Sequence, residues 1–125
     1  MNISWFNKDE KLGVATIYAT NITMNKVISD IIEDSYGVLL GIDKEEKKII
    51  LKPISINKYN EGTIDKNMFF KLSGGKTYSR VSSTDFINEI SSLFSMNFSS
   101  SAKKYTCAWD KDEKVVIINL TEEVK

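Results

Sequence analysis

The side chains able to do chemistry are few in this sequence. It contains no histidine, which removes the commonest general base and the commonest transition-metal ligand, and with them every histidine-dependent triad. The one cysteine, Cys107, excludes an internal disulfide and a cysteine-rich zinc site. In the apparent strand Lys104-Tyr105-Thr106-Cys107-Ala108-Trp109 it reads as a small buried hydrophobe rather than a reactive thiol. Carboxylates are plentiful. Asp85 and Glu89 stand four apart and so share one helical face, and Asp30, Glu33 and Asp34 lie on or beside another helix. A solvated helix face accounts for all of them without an acid–base pair. The acidic turns interleave with lysines and lack a central glycine, unlike a calcium loop. No phosphate-binding glycine loop, nucleophile elbow or metal-ligand spacing occurs. The chain reads as non-enzymatic, with no cofactor.

What remains is binding. Basic and acidic residues balance at 17 each, so no global positive field draws in nucleic acid. Arg80 is the only arginine, although bidentate reading of guanine or phosphate favours that residue. The candidate nucleic-acid contacts are Lys26, Lys76, Arg80, Lys103 and Lys104, near strand and helix ends. The candidate protein-interface anchors are Trp5, Phe6, Tyr59, Phe69, Phe70 and Phe98, in terminal, linker or loop-adjacent segments where aromatic residues make hot spots. The same rings would serve equally to plug the ends of a barrel.

Hydrophobic periodicity sets the elements that must position these residues. Strands are predicted at 3–6 and 14–18, joined by the polar turn 7–13. Asn21 or Thr23 caps a helix running to about Asp34, with Met24, Val27, Ile28, Ile31 and Ile32 on one face. Strands follow at 36–42 and 49–52, joined by a charged turn at 43–48, and Pro53 ends the ladder because it has no N–H. Residues 55–67 connect to a second series. It comprises a strand at 68–72, a Ser73-Gly74-Gly75 turn, and a strand at 76–81. A capping box at Ser82-Ser83-Thr84-Asp85 opens a helix over 84–95 that carries Phe86, Ile87, Ile90, Leu93 and Phe94. A serine-rich loop leads to the last hairpin, 103–109 and 115–120, and a tail from Thr121 that frays.

The two series echo one another. Asp43-Lys44-Glu45-Glu46-Lys47 matches Asp110-Lys111-Asp112-Glu113-Lys114, Gly41 falls on Ala108 and Ile50 on Ile117. In the helices, Ile28 falls on Ile90 and Ile32 on Phe94. The expected fold is a strand-rich α+β domain spanning 1–125. It is built from two β-β-α-β-β units at about 3–54 and 68–121, packed about a pseudo-two-fold as a barrel or as a sheet backed by two helices. Neither unit alone buries enough apolar surface.

The first unit resembles the swapped-hairpin fold of AbrB- and MazE-type DNA-binding proteins. The likeness rests on Ile22-Thr23-Met24-Asn25-Lys26 opening the helix and Ile49-Ile50-Leu51-Lys52-Pro53 closing the last strand. MraZ-like members of that group carry two such units in one chain. The resemblance implies a small DNA-binding regulator, but Asn25 stands where the group carries proline, and the arginines expected to touch DNA are absent. Fold and function need not travel together. The sequence therefore leads to a protein-interaction or self-assembly module, with DNA as the alternative partner. No apolar run approaches the roughly 20 residues that span a bilayer, and the first residues lack a signal-peptide pattern, so a cytoplasmic protein with no membrane contact is expected.

Overall fold

The computed structural model describes residues 1–5 and 12–124. In chain order the elements are β1 (Val14–Ile17), β2 (Asn21–Asn25), α1 (Lys26–Ile31), β3 (Ser35–Asp43), β4 (Lys48–Ser55), α2 (Ile56–Asn60), β5 (Phe69–Lys71), β6 (Ser73–Gly74), β7 (Tyr78–Ser82), α3 (Thr84–Phe94), β8 (Lys103–Asp110) and β9 (Val115–Glu123). The fold is strand-rich α+β. All the strands join one sheet in the order β5-β3-β4-β9-β8-β1-β2-β7-β6, and every neighbouring pair is antiparallel. The two ends of that order, β5 and β6, are consecutive in the chain with only Leu72 between them. The sheet therefore curls until its edges meet in the stretch 69–74, a nearly closed barrel. Closure of this kind leaves few unpaired backbone groups to attract other chains.

Period-two patterning drives the curl. Ala15, Ile17, Ile22, Met24, Val38, Ile49, Leu51, Val81, Val116 and Ile118 are each 2% exposed or less. Along most of the strands they alternate with half-buried or exposed neighbours, so one face of the longer strands fills the interior. The helices add Ile28, Ile32, Phe86, Ile87 and Ile90 to the same cluster. In α3 the N-terminal bond is made by Ser83, whose hydroxyl accepts from the Phe86 N–H at 3.1 Å. The expected cap at Ser82 is displaced by one residue, because Ser82 still belongs to β7 and pairs with Asn21.

Several expectations are corrected. Residues 3–5 form no strand, and Trp5 is 85% exposed. The partner expected for that strand, β1, already has β2 on one side and β8 on the other, so no edge is left for it. Phe6 and most of the expected turn at 7–13 lie outside the described residues. The helix expected from Asn21 or Thr23 to Asp34 begins only at Lys26, because Asn21–Asn25 is a strand paired on both sides, to β1 and to β7. Pro53 does not end β4. It stands past Leu51, the last β4 residue paired with β9, where a missing N–H costs no bond to that neighbour. The connection 55–67 contains α2, capped by the Ser55 hydroxyl accepting from the Lys58 N–H at 3.1 Å, which makes three helices among the described residues instead of the expected two. Residues 121–123 do not fray but continue β9, with Glu123 opposite Tyr105.

The two charged turns share a carboxylate bond and a backbone angle. The Glu46 N–H donates to Asp43 Oδ1 and the Glu113 N–H to Asp110 Oδ1, both at 3.1 Å. Lys47 and Lys114, which follow them, both have φ of 56°. The β1–β2 turn is closed by Tyr18 N–H to the Asn21 carbonyl and the β6–β7 turn by Gly75 N–H to the Tyr78 carbonyl. In the sheet, β2 lies against β7 and β4 against β9.

Candidate functional site: an aromatic platform at the barrel seam

Of the six aromatic residues singled out from the sequence, the structure brings two together and adds a third that sequence reasoning missed. Tyr59 projects from α2 and Phe69 from β5, with ring centroids 4.6 Å apart. Tyr36 of β3 lies 5.1 Å from Tyr59, edge to face, and 5.6 Å from Phe69, nearly stacked. These spacings fall in the range where aromatic pairs attract beyond simple burial. All three rings remain only half-buried. The Lys71 ammonium sits 5.3 Å from the Tyr36 centroid, an arrangement favoured by the ring's negative face.

The platform depends on Gly37. A Cβ there would run into the Phe69 ring and stand 2.5 Å from the Phe70 carbonyl oxygen, so β5 lies this close to β3 only because position 37 has no side chain. The expectation that Tyr36-Gly37 is plain strand sequence misses this role; the aromatic–glycine pair at the head of β3 is the signal that points to it. Ile56 and Met68, 44% and 56% exposed, belong to the same two segments as Tyr59 and Phe69.

The other anchors separate. Phe98 is 3% exposed and packs edge to face on Tyr105, 6.5 Å between centroids. It is core, not interface, because the loop after α3 brings it into the buried cluster. Phe70 is half-buried against the core cluster. Trp5 is exposed and apart, and Phe6 is outside the described residues.

The basic candidates fall into three places. Lys26 and Lys76 line one polar cavity of about 450 Å³, but Asp30 and Glu33 line it too, and Lys26 pairs with Asp30 at 2.9 Å. More than half of each of those side chains is exposed, so the pair contributes little to stability. Lys104 and Arg80 share a row of directly opposed residues running Lys104, Thr16, Thr23, Arg80, Ser73 over five strands. The Arg80 guanidinium lies over the Tyr78 ring at 5.2 Å. Lys103 is opposed to Ile17, on the row that continues into Ile22 and Val81 and fills the interior.

Cys107 is buried, and burial pushes its thiol up to about 12, so the thiolate needed for nucleophilic chemistry is absent at neutral pH. The Tyr105 hydroxyl is also pushed up, first by burial and then by the Glu123 carboxylate.

Comparison with known proteins gives no match. No family model, curated protein or solved structure is significantly similar to this chain. Among the described residues no helix is long and apolar enough to cross a membrane.

Proposed function

We propose that this chain is a non-catalytic protein-interaction module that meets its partner, in the first instance a second copy of itself, through the Tyr36–Tyr59–Phe69 platform. The observation that carries the reading is the convergence of three half-buried rings from three separate segments at the seam of the barrel. Interfaces concentrate their energy in such aromatic clusters, and an exposed apolar rim around one is what a partner covers. Sedimentation velocity over a range of micromolar concentrations is the test. A reversible dimer is expected, and Tyr59→Ser is expected to weaken it about tenfold or more while far-ultraviolet circular dichroism stays unchanged. A monomer at every concentration overturns self-association.

The same reading takes the chain to be an internal duplication of the swapped-hairpin kind. Its support is the matched turn bonds at Asp43 and Asp110, the equal φ at Lys47 and Lys114, and the pairing of β2 with β7 and of β4 with β9. Two copies of a hairpin–helix–hairpin unit exchanging strands would produce each of these features.

One observation favours a second reading, a small AbrB-like regulator that contacts DNA. Lys104 and Arg80 lie on one cross-strand row with Thr16 and Thr23 between them, so a phosphate backbone laid along that row would meet two cations and two hydroxyls. Fluorescence anisotropy with random duplex DNA decides it. Binding that falls steeply as salt rises, and that Arg80→Ala weakens, supports a DNA contact; no binding at low salt rejects it.

A further inference from the structure

A second opening shares α2 and β3 with the platform but is lined by none of its three rings, and the two charged turns differ in what lies beside them. On one side of the barrel α3 runs for 11 residues and ends at Phe94, whose ring lies 5.7 Å from the Lys47 ammonium of the first charged turn. On the other side α1 stops after six residues, at Ile31. Lys114, the counterpart of Lys47 in the second charged turn, has no such ring beneath it. It borders instead a cleft of about 770 Å³ walled by Leu39, Pro53 and Trp109. That volume lies within the range of small-molecule sites, roughly 300–1,000 Å³. The space is not filled by the protein's own side chains.

The rim of the cleft carries Lys52, Lys58 and Lys114 against the single carboxylate of Asp34. Lys58 is held at 3.4 Å by Glu61, while Lys52 and Lys114 form no ion pair among the described residues. Apolar walls with a net positive mouth select an occupant that is apolar along its body and negative at one end.

We propose that this cleft binds a small amphipathic carboxylate, an aliphatic chain with one carboxylate headgroup, free in solution. The chain lies along Leu39 and Pro53 beside the Trp109 indole, and the carboxylate faces Lys52 and Lys114. The lysines act as point charges, which suits a single carboxylate, and no arginine fork is present to favour a bidentate phosphate.

Trp109 is a built-in reporter. The chain has two tryptophans, so Trp5→Phe leaves Trp109 alone. Octanoate, kept below its micelle concentration, is expected to shift Trp109 emission to the blue in a saturable way. Octanol, of the same length without the charge, is expected to bind at least about tenfold more weakly, as is octanoate to the Lys52→Gln, Lys114→Gln double variant. Inorganic phosphate is expected to leave the emission unchanged. The absence of a saturable shift with octanoate overturns the proposal, and so does octanol binding as tightly as octanoate or a double variant binding as tightly as the parent. Tyr59→Ser, which tests the platform, is expected to leave this titration untouched, so the two readings fail separately.

Discussion

Gly37→Ala is expected to lower stability by about 3 kcal/mol and the thermal midpoint by roughly 10 °C, and to dismantle the aromatic platform in the same step. The added Cβ meets the Phe69 ring on one side and the Phe70 carbonyl on the other. Only one of these can yield. A side chain can rotate, but the carbonyl belongs to β5, a strand of three residues held to β3 by the pairs Gly37–Lys71, Val38–Phe70 and Leu39–Phe69. Relief therefore requires β5 to move off β3, which opens the barrel at its seam and carries Phe69 away from Tyr36 and Tyr59. Differential scanning calorimetry reads the first effect and near-ultraviolet circular dichroism the second. Gly41→Ala, four residues along the same strand, is the control. Its Cβ would lie 3.7 Å from the Cβ of Ile50, an ordinary contact, and little change is expected. Equal behaviour of the two variants would show that β5 is not packed on Gly37.

Stability is expected to fall steeply above pH 9, and Cys107→Ala is expected to remove much of the fall. The buried thiol titrates at about 12 in the folded chain, against 9.0 when exposed. Well below 9.0 the thiol is protonated in both states and contributes no pH dependence. As pH rises from 9.0 towards 12 the unfolded chain releases the proton while the native chain retains it, so each pH unit removes up to about 1.4 kcal/mol of stability. Tyr105 acts with the same sign, since its folded value is also raised above 10.0, and it adds to the slope once the unfolded phenol ionises. Denaturant unfolding at pH 8, 9, 10 and 11 measures the effect. A parent whose pH profile matches that of Cys107→Ala would show that the thiol is not held neutral in the native state.

Much of the fold is legible in the sequence wherever pattern and burial have the same period. The hairpin at 35–55 and that at 103–123 can be read from their near-identical turns, and α3 from the spacing of Phe86, Ile87 and Ile90. The reading slips where two periods overlap. Met24, Val27, Ile28 and Ile31 satisfy a helical stripe, yet Ile22 and Met24 also alternate with Asn21, Thr23 and Asn25. The tertiary environment decides between them, because β2 has partners on both sides and Ile31, a member of the supposed stripe, is 46% exposed. Asn25 reads as a polar-face residue of that helix but ties the end of β2 to the start of β1, its side chain accepting from the Val14 N–H at 3.1 Å and donating to the Leu12 carbonyl at 2.9 Å. The platform is half legible: Tyr59 and Phe69 can be suspected one at a time, but their meeting with Tyr36 depends on β5 closing on β3, a pairing of segments some 30 residues apart with no local signature. The lysine-rimmed cleft is the least legible, since its lining comes from segments as far apart in the chain as Asp34 and Lys114.

The interleaving of early and late strands in one sheet also bears on how the chain is made. β1 and β2 can pair with each other, and β3 with β4, as soon as residues up to Ser55 are synthesised. Each of those hairpins then lacks its outer neighbours, because β8, β7, β9 and β5 have yet to appear. A chain emerging vectorially from the ribosome thus holds two half-finished ribbons, apolar on one side, until its last strand is complete. Final assembly waits for β9 in this topology, and the interval before β9 emerges is when the nascent chain has most need of a chaperone.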